Sequence, residues 1–450
     1  MTTMQTSPPQ EVLHIPNFID ARPLSASQYA IVCLCSFVMF IDGFNTQTIS
    51  YMTPLIAKEW QLSHQILGPI LASALAGLLV GYLFLSPLSD RLGHRRMVLM
   101  ATIVVGAFTL TTLLATNAPE LIALRFITGL GLGAAIPSAV ALTSEYTPKR
   151  LRATFVLAIY CGLSFGFAAA GGAAAWLIPH YGWRALLWAG AVAPLALAPF
   201  IYLYLPESLD FLIRNRADPG QIQAVLARID PAAATIGTVR FEIESADRKN
   251  AVASLFQSGR TLGTLLLWVV FVLNLAEFYA LQSWLPPILT NLNYSIESVA
   301  LATSLTTIGG IVAAFVVGPA MDRISPYGSL AILYLAGVVF VGLTGWALSR
   351  SAWMLMTASF FAGFCVSGGQ KSVIALTAIF YPTPIRSTGV GWALGIGRIG
   401  GIAGPLLIGA LLGWQVQPAS VFYAATLPML ASALIIVLLG VKYGGGRPQP

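Results

Sequence analysis

Twelve apolar runs, each long enough to cross a bilayer, recur along this 450-residue chain, and no other feature limits its fold so strongly. They fall near 27–50, 66–86, 96–115, 118–141, 153–178, 185–205, 261–285, 299–320, 329–348, 352–379, 388–412 and 419–441. A helix needs about 20 apolar residues to cross the hydrocarbon core. The runs are too long and too uniformly apolar for the alternating strands of a membrane barrel, which leaves helices as the spanning element. Only 9% of the residues are charged, against about a quarter in a soluble domain. Lipid must therefore cover most of the outside, and the expected fold is all-α and integral to the membrane.

The first 26 residues are polar and lack a basic start, so they read as a cytoplasmic N-terminal segment and not as a cleaved signal peptide. With the N-terminus inside, eighteen of the 24 lysines and arginines fall on the cytoplasmic side and three, Lys58, Arg184 and Arg350, fall outside. Arg125, Lys371 and Arg398 remain within spans. The positive-inside rule then predicts both termini in the cytoplasm. That bias also accounts for the basic pI, so no nucleic-acid partner is needed. Cys33, Cys35, Cys161 and Cys365 all lie in spans at no metal-ligand spacing and read as packing residues. No cofactor or metal is expected, and no nucleophile–base constellation suggests an enzyme.

One polar interval, 206–260, divides six spans from six. The layout is thus 1–26, a first half 27–205, a central cytoplasmic loop, a second half 261–441 and a tail 442–450. The halves echo each other: "SPLSDRLGHRR" follows span two and "GPAMDRISPYG" follows span eight, with Asp90-Arg91 and Asp322-Arg323 in matching places. Internal duplication of this kind marks transporters that bind substrate near the midplane between the halves.

"SPLSDRLGHRR" resembles the loop motif after span two of the major facilitator superfamily, with Ser86 in place of its first glycine and His94 at one basic position. "RFITGLGLGAAIP" resembles the superfamily's span-four motif and "PESLDFL" the one closing span six. Glycines 129, 131 and 133 follow no strand, so close helix packing explains them better than a dinucleotide loop. Over nearly the whole chain, "DGFN", "SEYTPKRLRAT", "WLPPIL" and "GGQ…YPTPIRSTGVGWALGIGRIGGIAGPLL" are similar to the aromatic acid:proton symporter family. That resemblance implies proton-coupled uptake of a (hydroxy)benzoate or related acid across the bacterial inner membrane by a chain working as a monomer. Its partners would be the aromatic acid, protons and the bilayer. A drug/proton antiporter of the same superfamily is the rival reading. Its cavity should hold acids without free cations, and Lys371 and Arg398 argue against that.

The family usually shows Asp-Gly-Phe-Asp in span one, where this chain has Asp42 and Asn45. Asn cannot carry a proton but can hydrogen-bond a substrate. An ionised Asp at mid-span costs roughly 2.5 to 3.5 kcal/mol, so Asp42 should face a cavity, where it can meet either side in turn and carry a proton. A bland alternative is that it caps backbone weakened by Gly43. Glu277 is the other acid well inside a span and the second proton-coupling candidate. With Asn274 and Gln282 it is expected to share roughly one face of span seven. Glu277 and Lys371 lie outside the family pattern; a mutual ion pair, a substrate role and an interface position are all open to them.

A carboxylate substrate calls for a cation, and a guanidinium can hold it bidentately. Arg398, among glycines in span eleven, matches the family's arginine there. Lys371 and the adjacent Gln370 are further candidates. Phe44, Phe278, Tyr279, Trp284 and Trp392 could sandwich a ring, although aromatics at such places are more often packing. Arg125 matches the superfamily's span-four arginine and is expected to be structural or coupling, with Glu145 further along the same helix. Asp90, Arg91, Gly93, Arg95 and Arg96, with Asp322, Arg323 and Arg386, lie too far from the midplane to touch substrate. They are expected to form a latch that pairs across the halves in one conformation and releases in the other.

Overall fold

The computed structural model describes residues 12–215, 217–231, 240–242, 251–382 and 385–444. Among them, twelve helices are long and apolar enough to cross a membrane, and each coincides with one of the twelve runs. Spans one to six are Ala26–Trp60, His64–Leu92, His94–Leu114, Ala118–Tyr146, Lys149–Tyr181 and Arg184–Tyr204. Spans seven to twelve are Thr261–Asn291, Ile296–Arg323, Pro326–Ala347, Ala352–Phe380, Arg386–Gly413 and Pro418–Tyr443. Span one runs ten residues past the expected 50, through Pro54, and stops at Gln61, whose left-handed backbone ends the helix. The all-helical expectation holds apart from one short parallel pairing of Val12–His14 with Arg240–Glu242, and Arg22 pairs with Asp230 nearby.

Polar residues at the run edges start the helices. Ser25, Asn117, Ser295 and Ser325 each accept the backbone N–H three residues on, satisfying a donor that the first turn cannot. Inside the bilayer, where lipid gives apolar side chains no reason to prefer each other, close backbone approach does the packing. Span one packs on five and two on four; in the second half seven packs on eleven and eight on ten. These are matching pairs, so the sequence echo is a structural repeat. A Cβ on Gly43 would collide with the Leu163 carbonyl, and one on Gly400 with that of Val272. Glycines 129 and 133 likewise press against the Ala74 and Leu78 backbones, as close helix packing requires.

The halves meet through spans two and eleven, five and eight, and one and seven. Named contacts gather at one end: Gly68 lies against Pro405 and Gly409, Gln65 against Gly413, and Gly171 against Ala300 and Ser304. His64 Nε2 and Asn291 Nδ2 approach to 3.3 Å at the same end.

All four cysteines are free thiols. Cys35 and Cys365 are buried packing residues, but Cys33 and Cys161 are exposed, which corrects the expectation for that pair. Cys33, two residues from Cys35, is turned about 200° away from the face that buries Cys35.

Candidate functional site

Near the middle of the molecule, five residues from five helices converge between the halves. Arg398 of span eleven donates from Nη1 to the Tyr279 hydroxyl of span seven at 2.8 Å. Its guanidinium carbon lies 5.2 Å from the centre of the Tyr82 ring of span two. Asp42 of span one and Tyr160 of span five are electrostatic neighbours of the same guanidinium. Asp42 and Arg398 stand near the midpoints of their helices, and the three tyrosines lie well inside theirs. Asp42 is 4% exposed, and its Oδ1 accepts a 3.2 Å hydrogen bond from the Thr46 hydroxyl one turn on. One cation and one acid thus face each other across the seam, ringed by three phenols.

Asp42, Arg398 and Tyr279 are all candidates in the sequence, and the fold brings them together. Tyr82 and Tyr160 are not among those candidates. Tyr82 sits in a five-residue π-helical turn, Gly81–Leu85, within span two. Such turns re-aim side chains and recur at functional sites. The one available signal is a phenol within each of two apolar runs, which by itself is indistinguishable from packing.

Several other candidates lie elsewhere, and helical geometry explains each case. Asn45 is 1% exposed and fully engaged inside the first half. Its Nδ2 donates to the Ile41 and Gly190 carbonyls at 3.2 and 3.1 Å, and its Oδ1 accepts from Thr109. Arg125 donates to the Asn45 carbonyl at 2.6 Å, so both residues hold spans one, three, four and six together. Phe44, two residues from Asp42 and so about 200° around the helix, stacks on Phe40 at 6.2 Å in the packed core. Trp392 stacks on Trp268 at 6.0 Å and is 45% exposed. Six residues before Arg398, it lies about 9 Å away along the axis and about 120° around it. Trp284 donates to the Pro405 carbonyl at 2.9 Å, a tie between spans seven and eleven.

The expected polar stripe on span seven divides. Asn274 donates to the Val366 carbonyl, and Gln282 donates to the Thr306 and Thr307 hydroxyls. Glu277, 4% exposed, instead lines a small apolar cavity with Leu281, Trp284 and residues of spans eleven and twelve. At about 100° per residue, Glu277 and Gln282 stand about 140° apart, which the expectation of a shared face overlooked. The Glu277–Lys371 ion pair is not formed. Lys371 Nζ donates to the Gly310 carbonyl of span eight at 2.9 Å, and Cys161 of span five is its neighbour across the seam. Gln370 is half-buried beside it.

The motif after span two is tied within its own half in this conformation. His94 approaches Asp90 at 3.7 Å, and the left-handed Gly93 (φ 96°) turns the chain so that Arg95 N–H reaches Glu207 Oε1 at 2.9 Å. Arg95 also donates to the Tyr202 carbonyl. Glu145 accepts from the Ser208 hydroxyl and the Asp210 N–H at 3.1 and 2.5 Å, joining the end of span four to the segment after span six. Arg91 and Arg96 flank this turn, Asp322 and Arg323 close span eight, and Arg386 opens span eleven with its Nε 3.4 Å from the Tyr381 carbonyl. Among the described residues, no cluster of histidine, cysteine and acidic side chains could hold a metal ion.

Known proteins share this architecture. The family profile described as Major Facilitator Superfamily matches residues 35–286 and 267–449. The chain is 38% identical over 436 residues to the 4-hydroxybenzoate transporter PcaK of Pseudomonas aeruginosa, covering 96% of this chain and 97% of the other. It is 37% identical to a gallate transporter of Pseudomonas putida, covering 97% of each. Among solved structures it is similar to a partially occluded, inward-open form of the xylose transporter XylE from E. coli, with a TM-score of 0.69, 16% identity, and 94% of this chain and 100% of that one covered.

Proposed function

The chain belongs to the major facilitator superfamily, a multi-pass membrane transporter of the bacterial inner membrane and not an enzyme, and from that premise we propose that it imports a small aromatic carboxylate together with a proton. The observation that carries the reading is the cluster of Asp42, Arg398, Tyr279, Tyr82 and Tyr160 between the halves. Arg398 receives the carboxylate, because a planar guanidinium offers two parallel N–H donors. The phenols supply ring faces and hydroxyls at the same level. Asp42 carries the proton: when it is protonated, Arg398 has no internal anion to satisfy and is free for the substrate. The names of the relatives, a 4-hydroxybenzoate and a gallate transporter, support the substrate class.

Orientation rests on the excess of basic residues on one side, eighteen against three. With both termini cytoplasmic, the packed end at His64, Gly68, Gly409 and Gly413 is the outer one, and this conformation faces inward. Residues 27–205 and 261–441 are the two bodies that rock about the cluster, with 206–260 as the cytoplasmic connection.

The test is uptake of labelled 4-hydroxybenzoate into proteoliposomes under an inward proton gradient. Accumulation that collapses with a protonophore is the expected result. Absence of transport for any benzoate, or accumulation indifferent to the gradient, defeats the proposal.

A further inference from the structure

Lys371 stands outside the central cluster, yet it is a cation in the middle of a membrane span. Among the described residues no carboxylate pairs with it; its one hydrogen bond is to the Gly310 carbonyl at 2.9 Å. An ammonium has three N–H donors, so two remain. A cation held this way inside a bundle is expensive unless it faces a water-filled cavity or a ligand.

Its place narrows the choice. Lys371, from span ten, is bonded to span eight, which packs on span five, and Cys161 of span five is its electrostatic neighbour. Arg398, from span eleven, is an electrostatic neighbour of Tyr160, the preceding residue of span five. Consecutive residues leave a helix about 100° apart and at nearly the same height. The second half therefore presents two cations at one level, on adjacent sides of the same helix of the first half. The more exposed of the two neighbours is the Cys161 side. A benzoate with no ring substituent, once both carboxylate oxygens are held by Arg398, brings no second polar group to Lys371.

We infer that Lys371 reads an oxygen substituent on the aromatic ring, opposite the carboxylate held at Arg398, so that the favoured cargo is a hydroxylated aromatic acid. This rests on the reading of Arg398 as the carboxylate anchor and adds the second pole of the same site. Lys371 thus determines specificity, and its donors turn partly from the Gly310 carbonyl to the ligand hydroxyl.

The experiment measures binding of 4-hydroxybenzoate and benzoate to purified protein carrying Lys371→Met or Lys371→Gln. The expected result is a fall of about tenfold or more in the preference for 4-hydroxybenzoate over benzoate, as befits loss of a charged hydrogen bond. An unchanged preference overturns the inference, since a merely structural lysine weakens both acids alike. Should neither variant fold, the wild-type protein decides through alkylation of Cys161 by N-ethylmaleimide, read by peptide mass spectrometry. At equal saturation, 4-hydroxybenzoate should protect Cys161 more than benzoate does; equal protection overturns the inference. Wild-type protein that binds neither acid would instead refute the proposed transport function.

Discussion

Replacing Arg398 by Gln should weaken binding of 4-hydroxybenzoate on the order of a hundredfold. A bidentate, charge-assisted contact to a carboxylate contributes about 3 kcal/mol, and each 1.4 kcal/mol is a factor of ten in Kd. Arg398→Lys keeps the charge and loses the fork, so about half of that energy, roughly a tenfold weakening, is expected. Tyr279→Phe leaves the guanidinium in place but removes the 2.8 Å bond that orients it. That loss is worth about 1 kcal/mol, or about fivefold. The assay is equilibrium binding of the labelled acid to purified protein, with thermal unfolding recorded to confirm that each variant is folded. Adding 4-hydroxybenzamide closes a double-mutant cycle between ligand and protein. Wild type should prefer the acid strongly, while Arg398→Gln should bind acid and amide about equally. If Arg398→Gln retains the preference for the acid, the carboxylate is held elsewhere. If Tyr279→Phe is more damaging than Arg398→Lys, the phenol and not the guanidinium is the principal anchor.

Asp42→Asn should abolish accumulation driven by a proton gradient and leave exchange of labelled for unlabelled acid, measured by counterflow at matched pH. Loss of both processes in folded protein would show that Asp42 does more than carry the proton. Glu277→Gln should retain gradient-driven uptake, because Glu277 faces spans eleven and twelve and not the central cluster. Combined with Lys371→Gln it should show additive effects, and partial rescue in the double variant would mean that the two pair in another conformation. Gly400→Val should sharply lower the yield of folded protein, since any Cβ there meets the Val272 carbonyl. Overpacking of this kind costs about 1 to 3 kcal/mol or more, and a melting temperature equal to wild type would count against the close packing of spans seven and eleven. Gln65→Cys with Gly413→Cys should cross-link on oxidation, stopping transport until reduced, because a Cβ on Gly413 would reach the Gln65 Cγ position. Continued transport by the fully oxidised protein would mean that this end need not open.

The spans were legible because bilayer thickness imposes a length and composition that few other structures share. The paired glycines were legible for a related reason: a small residue in an apolar run has little purpose there except close approach. Direction around each helix was concealed. Phe44 and Glu277 sit at suitable depths in suitable helices and point away from the cluster, and Trp392 misses it in both depth and direction. For Glu277 the divergence from Gln282 is itself legible, since the 140° between them comes from the helical period alone. Tyr82 was concealed for a different reason. A π-turn shifts the register of the residues beyond it, and no composition rule announces that turn.

Asn45 shows how chemistry can mislead when the neighbouring helices are unknown. Three residues after Asp42 on the same helix, it looks like a partner in the same task. The 60° that separates them carries Asn45 out of the seam and into the first half, where two carbonyls need a donor and the Thr109 hydroxyl needs an acceptor. An amide can meet both needs at once, whereas an ionised carboxylate accepts only and would confront the Ile41 and Gly190 carbonyls. Arg125 is then held by the Asn45 backbone carbonyl, a contact that does not depend on which side chain stands at 45. The arrangement ties four spans of the first half into one body around span one. Asp42, one turn earlier on that helix, is thereby held rigidly at the seam. Of the two polar side chains of "DGFN", one faces the second half across the seam and the other fixes the helix that presents it.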